Sequence, residues 1–406
     1  MNEFKITAVA EPRPDGERIT KVIIDLNGNE TDIDNITVKD RTVVSREKEN
    51  DRVILGLSED DEKAFVIPKP AFSAGMKKEG GHGLNGPEGS GGPGGPGGPG
   101  GPGGPGGAGG PGGPRRPMPA RERGPIEVTV RIPGAGEITS SAKQELVIDD
   151  FTTGSYKAFS FSFFSPLVQA GQRYPLVVFM PDASANGPDP LLCLSQGIGA
   201  TVWAEPSWQE EHPCFVLAIQ VPKEIRLTND EFEAAPEYDQ VIELIEKTIA
   251  ENPIDTDRIY MTGQSQGCMS TFEMLCRKPD LLAAALCVSG QWDPEKVGKT
   301  AADKKIFMGL SSLGPKEYPG MSAVIEQLAA NGADIKRIDL NFRDGWENNN
   351  EKVLSECGGS NIIFCVFDGD TIWPENDTRE HGRMEHHNRG WEVTYQLRAA
   401  LEWVFS

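Results

Sequence analysis

Apolar residues in the first seventy positions come in short runs with turn residues between them. Residues 19–26 (Ile-Thr-Lys-Val-Ile-Ile-Asp-Leu) stop at Asn27-Gly28-Asn29, residues 36–44 follow, and residues 52–57 and 64–67 complete the set. Runs of this length, without a 3.6-residue period, predict the strands of a small β-sandwich. The pattern fails across residues 75–124, where Gly91 to Pro114 run in Gly-Gly-Pro triplets broken at Ala108. Glycine at two of every three positions in so short a run does not support a collagen-like triple helix, and predicts a polyproline-like insert instead. Arg115, Arg116, Arg121 and Arg123 follow as a basic collar expected to be solvated. Residues 126–132 return to strand alternation, so the insert is read as a long loop inside a β-domain of residues 1–147.

From residue 148 the pattern changes. Strand-length apolar runs at 158–164, 175–180, 215–220, 258–262, 283–288, 305–308 and 362–367 are separated by stretches with helical spacing. Val241, Leu244, Ile245 and Ile249 mark one helix face, and Val324, Ile325 and Leu328 another. Continuous apolar strands alternating with amphipathic helices predict an α/β domain over residues 148–406, a mostly parallel sheet covered on both faces. In such sheets ligands and chemistry gather at the carboxyl ends of the strands.

Composition narrows the function classes. A net charge of −21 disfavours a nucleic acid partner or an anionic membrane surface. The longest apolar stretches are strand-length, which predicts no bilayer span. The N-terminus carries no basic segment followed by an apolar one, and most of the seven cysteines sit in apolar runs as expected of buried thiols. A cytoplasmic location is therefore expected, with secretion the alternative for a trimmed chain.

Candidate chemistry centres on Gly263-Gln264-Ser265-Gln266-Gly267. A bare G-x-S-x-G match means little in a chain with 47 glycines, but an apolar run precedes this one and a helix-like stretch, residues 268–277, follows it. Strand, sharp turn and helix around this motif form a nucleophile elbow, in which any Cβ at the flanking glycines would collide. A serine hydroxyl needs a positioned base. Of His82, His212, His381, His386 and His387, the last three lie where the chain order Ser, acid, His requires. The cluster Glu380, His381, Glu385, His386 and His387 matches no zinc spacing, so neither metal nor cofactor is expected. Cys268 is expected to be buried rather than nucleophilic.

On these residues the chain resembles α/β-hydrolase esterases with an N-terminal immunoglobulin-like domain, related to polyhydroxybutyrate-depolymerase-like and feruloyl-esterase-like proteins. The resemblance covers both domains apart from the Gly-Gly-Pro insert. It is strongest at residues 255–267, 288–293, 175–184 and 197–204, and in the spacing from His387 to Trp391. It implies Ser265 as nucleophile and His387 as base. It also implies an oxyanion hole from the Gln266 N–H and the loop at Asp182 and Ala183. Two departures stand out. Pro181 holds a position usually occupied by histidine, and the family's aspartate falls on Gly314. Glu317 is the first substitute for that acid, and Asp293 the second. The resemblance implies a serine carboxylic-ester hydrolase acting on a small acyl or aryl ester, carbohydrate-linked esters included. Pro181 and the missing aspartate motivate a second reading, a catalytically impaired hydrolase fold serving as a binding or scaffold module. A serine peptidase ranks third, because nothing resembling a propeller gate is present.

Overall fold

The structure, a computed structural model, describes residues 3–68 and 121–406. The Gly-Gly-Pro run, Arg115, Arg116 and His82 lie outside the described residues.

The N-terminal strands are β1 (Lys5–Glu11), β2 (Arg18–Asp25), β3 (Thr37–Val38), β4 (Val43–Glu49), β5 (Arg52–Leu57), β6 (Thr129–Ile132), β7 (Gly136–Thr139) and β8 (Ala142–Glu145). They build a five-stranded sheet, β4-β5-β2-β1-β8, and a three-stranded sheet, β3-β6-β7. Ile6, Val22, Val53 and Leu55 of the first share one apolar core with Val38, Val130 and Ile132 of the second, so the two sheets form a sandwich. Alternation along β1, β2 and β5 puts those residues on a single face. Residues 36–44, expected as one strand, split into β3 and the start of β4, and Asp40 between them turns with φ +56°. Residues 64–67 are not a strand. They follow a 3-10 turn at Glu62–Ala64 and make a single bridge, Phe65 to Arg18, because the polar turn ahead of them leaves too little extended chain to pair.

The large sheet follows with β9 (Thr152–Tyr156), β10 (Phe159–Phe164), β11 (Tyr174–Met180), β12 (Phe215–Gln220), β13 (Ile254–Gln264), β14 (Ala284–Val288), β15 (Ile306–Ser311), β16 (Ile335–Leu340) and β17 (Ile362–Phe367). Its order is β16-β17-β15-β14-β13-β11-β12-β10-β9, with β9 and β10 antiparallel at one edge and every pairing from β12 to β16 parallel. The helices are α1 (Leu192–Ser195), α2 (Pro206–Glu211), α3 (Tyr238–Glu251), α4 (Gln266–Arg277), α5 (Pro294–Ala301), α6 (Glu317–Ala330), α7 (Trp346–Glu356), α8 (Arg383–Thr394) and α9 (Arg398–Phe405). Leu176, Val178 and Met180 of β11 face a core closed by α3 to α6, whereas Val177 and Phe179 face one closed by α1, α2 and α7 to α9. Both faces are dry, which is why these strands read as unbroken apolar runs rather than as alternations. Trp203, Trp208 and Trp292 are fully buried in these two cores.

Arg123 departs from the solvated collar expected of it. Its side chain is 9% exposed, and its guanidinium lies 2.9 Å from the buried Glu17 and also pairs with the buried Glu145. Lys143 adds a second cation to Glu145. Two buried carboxylates need a counter-charge, and the arginine supplies it from a residue far away in sequence. The neighbouring Gly124 N–H donates to the Val66 carbonyl at 2.6 Å, which holds the two flanks of residues 69–120 side by side.

Replacing Arg123 by methionine removes the cation shared by Glu17 and Glu145 and leaves Lys143 as the remaining cation beside Glu145. Urea denaturation is expected to show a loss of about 3–5 kcal/mol, whereas a loss below about 1 kcal/mol would mean that the cluster behaves as a surface pair.

Candidate active site

β13 runs into α4 through a turn with no spare volume. A Cβ built on Gly263 would lie 2.4 Å from the Gly267 carbonyl carbon, and one on Gly267 would lie 2.0 Å from the Met180 oxygen. Ser265, between them, has φ +53° and ψ −114°, a conformation that costs a non-glycine residue on the order of 1–3 kcal/mol. Its N–H donates to the Val288 carbonyl of β14 at 3.0 Å, and its own carbonyl accepts from Met269 at 3.1 Å. The surrounding sheet and helix thus hold the strained residue, with its side chain at the carboxyl edge of the sheet.

His387 meets it there. Nε2 of His387 is 3.0 Å from Ser265 Oγ. The histidine lies within α8, just ahead of the terminal helix, and Glu385 helps start α8 by folding back to accept the Gly382 N–H at 2.7 Å. Gly390 lets α8 approach the sheet, since a Cβ there would lie 2.3 Å from Ser289 Oγ. Trp391 packs edge-on against the imidazole, with ring centroids 5.1 Å apart. Arg389 fastens the same helix to the preceding segment through Ile372 O, with its guanidinium over the rings of Phe342 and Trp373.

On the other side of the ring, Nδ1 of His387 lies 2.9 Å from Glu317 Oε1. The contact is bent: the two atoms are at ion-pair distance, but the ring N–H does not point straight at the oxygen. Such catalytic contacts commonly straighten only when substrate is bound. Glu317 is 2% exposed and opens α6, three residues beyond the end of the 312–314 turn. A Cβ built on Gly314 would lie 2.2 Å from Glu317 Oε1 and 2.4 Å from its Cδ. The glutamate therefore reaches back into the space that a side chain at 314 would fill. Asp293, the other candidate, accepts the N–H groups of Glu295 and Lys296 as the N-cap of α5.

The loop after β11 presses on the elbow, with the Met180 and Pro181 carbonyls against Gly267. Asp182 caps a 3-10 turn at Ala183–Ala185 by accepting the Ser184 N–H at 2.7 Å. Two buried amides brace this loop, and sequence patterning identified neither. Gln264 Nε2 is 3.5 Å from Asp182 Oδ2, and Gln220 Nε2 donates to the Ala185 and Gly187 carbonyls at 2.5 and 3.3 Å. A strand-end glutamine carries no signal of its own until its partners are known.

Other titratable groups have structural duties. Burial pushes the Cys268 thiol well up, which leaves it a neutral core side chain. His381 stacks flat on Trp373 with centroids 3.6 Å apart, and burial lowers the neighbouring His386. Among the described residues, Glu211, His212 and Glu402 have ligand atoms within 4.8 Å of one another, but Arg398 pairs with both carboxylates and already serves as their cation.

A mostly parallel sheet between two helical layers, with the elbow after β13, defines the α/β-hydrolase fold. No family model matches the sequence, and no curated protein sequence matches it. The crystal structure of a thermostable esterase superposes over 99% of this chain and 98% of its own, with a TM-score of 0.69 and 22% identity. The feruloyl esterase module from Clostridium thermocellum complexed with sinapinate matches over 63% of this chain and 87% of its own, with a TM-score of 0.40 and 14% identity. At 22% identity the likeness to the thermostable esterase is one of fold.

Gly267→Ala forces the elbow apart from the Met180 carbonyl. It is expected to cost more than about 2 kcal/mol in denaturant unfolding, because the clash is with the Met180 and Pro181 backbone rather than with a side chain that could swing away. A variant as stable as the wild type would show that the turn has slack.

Proposed function

We propose that this protein is a serine carboxylic-ester hydrolase working through an acyl-enzyme. The observation that carries the reading is that His387 lies between the other two groups, with Nε2 3.0 Å from Ser265 Oγ and Nδ1 at an ion-pair distance of 2.9 Å from Glu317 Oε1. Ser265 attacks the ester carbonyl carbon while His387 takes its proton. Glu317 stabilises the imidazolium and holds its tautomer. The imidazolium then protonates the leaving alcohol, and a water molecule repeats the sequence on the acyl-enzyme.

The negative oxygen formed at each addition accepts hydrogen bonds from the Gln266 N–H and from the loop at Asp182 and Ala183. Gln266 is the first residue of α4, where an N–H has no intrahelical acceptor and the helix dipole favours negative charge. A donor of this kind contributes about 3–4 kcal/mol to the transition state. Pro181 removes an N–H ahead of the loop and leaves those at 182 and 183 in place. The likeness to the thermostable esterase supports the class of reaction, and the earlier resemblance supports a small acyl or aryl ester as substrate.

A scaffold reading loses ground to the same line of contacts. A carboxylate as buried as Glu317 is costly unless it is paired, and its partner is the histidine that faces Ser265.

Wild-type protein is expected to be labelled by a fluorophosphonate probe and to hydrolyse p-nitrophenyl acetate, with both activities lost in Ser265→Ala. Glu317→Gln is expected to lower kcat by about 10³–10⁴. Moving the acid back to the loop, Gly314→Asp combined with Glu317→Ala, is expected to recover part of that loss. Folded wild type that resists the probe would sink the esterase reading.

A further inference from the structure

We propose that Asp230 is a positioning residue for the acid of this site, acting through Lys316. The inference rests on the esterase reading, with Glu317 as the acid.

Asp230 lies in the 222–237 loop between β12 and α3, which closes on itself through a bridge between Thr228 and Ala234. This loop is tied to three of the loops that carry the site. Thr228 Oγ1 donates to the carbonyl of Gln266, the residue after the nucleophile, at 3.3 Å. Phe232 packs edge-on against Trp292 beyond β14, with centroids 6.0 Å apart and a backbone φ of +63° that a bulky side chain rarely adopts. Asp230 makes the third tie, accepting from Gln291 Nε2 at 3.0 Å and pairing with Lys316 Nζ at 2.5 Å. Gln291 in turn lies flush on α6, where a Cβ on Gly320 would be 2.6 Å from its own Cβ.

Lys316 matters because of what its peptide does. Its N–H donates to Glu317 Oε2 at 3.2 Å, while Oε1 faces His387. The orientation of this one peptide therefore sets how the carboxylate presents itself to the imidazole. Lys316 is also the N-cap of α6, with its carbonyl accepting the Gly320 N–H at 2.9 Å, and its side chain caps nothing and is free to reach Asp230 instead. A glutamate has one more rotatable bond than the aspartate it replaces, and the ion pair to Asp230 holds the turn from which it reaches.

The pair is 49% and 33% exposed, so its contribution to global stability is small. That separates positioning from architecture. Asp230→Ala and Lys316→Met are each expected to lower kcat roughly tenfold on p-nitrophenyl acetate, the scale of a modest misplacement, with KM and melting temperature near wild type. The double variant is expected to lose no more than either single, and Lys316→Arg to recover most of the rate lost in Lys316→Met. Asp230→Asn, which keeps the acceptor for Gln291, guards against a folding defect in the alanine variant. An unchanged kcat in Asp230→Ala and Asp230→Asn, with wild type active and dependent on Ser265, would overturn this inference alone. Additive losses, or losses explained by a lower folded fraction, would overturn it as well. Wild type that neither labels nor turns over would overturn the esterase reading too.

Discussion

Close approach at the elbow is the constraint from which the rest of the site follows. Gly263 and Gly267 bring the end of β13, the start of α4 and the Met180 carbonyl to within backbone contact, and only the absence of two Cβ atoms makes that packing possible. Ser265 is held with positive φ by what surrounds it: the Val288 carbonyl accepts its N–H, and α4 begins immediately after it. Because the same contact draws the loop after β11 against the elbow, Ser265 and the proposed oxyanion donors are set by a single packing event. Strain of this kind persists where the neighbouring structure over-determines the backbone, and here a sheet core on one side and a helix on the other do so.

The proposed acid, Glu317, occupies volume that a glycine leaves open. An aspartate at 314 would project from a loop, close to where its carboxylate is needed. This chain has glycine there and sends a glutamate back from the first turn of α6 into the vacated volume. A carboxylate at that end of a helix is favoured by the helix dipole, which offsets part of the cost of burying it. The longer side chain brings extra freedom; the Lys316 N–H binds Oε2, and Oε1 lies at ion-pair distance from the imidazole. On the proposed reading, the charge is carried by position 317 into the volume that a side chain at 314 would occupy.

How much of this the sequence discloses depends on the range of the interaction. The elbow is local, so strand, glycines, serine and helix are legible within about twenty residues. The large sheet is legible because strands dry on both faces are apolar throughout. Glu317 is legible as a candidate by nearness to Gly314, but its contact with His387 spans seventy residues and needs the fold. Arg123 reads as part of a solvated basic run because nothing near it in sequence announces Glu17. Gln220 and Gln264 look like ordinary strand ends, and residues 64–67 look like a strand, until the partners that bury them are known.

Those long-range partners also explain why the sandwich and the large sheet do not behave as separate bodies. Ile67, at the end of the sandwich chain before residue 69, packs with Ala185 and Leu192, and Ala185 belongs to the turn capped by Asp182. The Glu17 N–H donates to the Ser195 carbonyl at 2.8 Å, and Gly197 leaves room for the Pro14 carbonyl, since a Cβ there would lie 2.9 Å from it. Gln220 then links α1 to the same turn by accepting the Cys193 N–H while donating to Ala185. The loop beside the nucleophile is therefore braced from two directions, by a strand-end glutamine of the large sheet and by an apolar residue of the sandwich. A loop held on both sides keeps its N–H groups oriented before any substrate arrives, and preorganisation of that kind is what lets backbone donors stabilise a developing charge without paying to reorient.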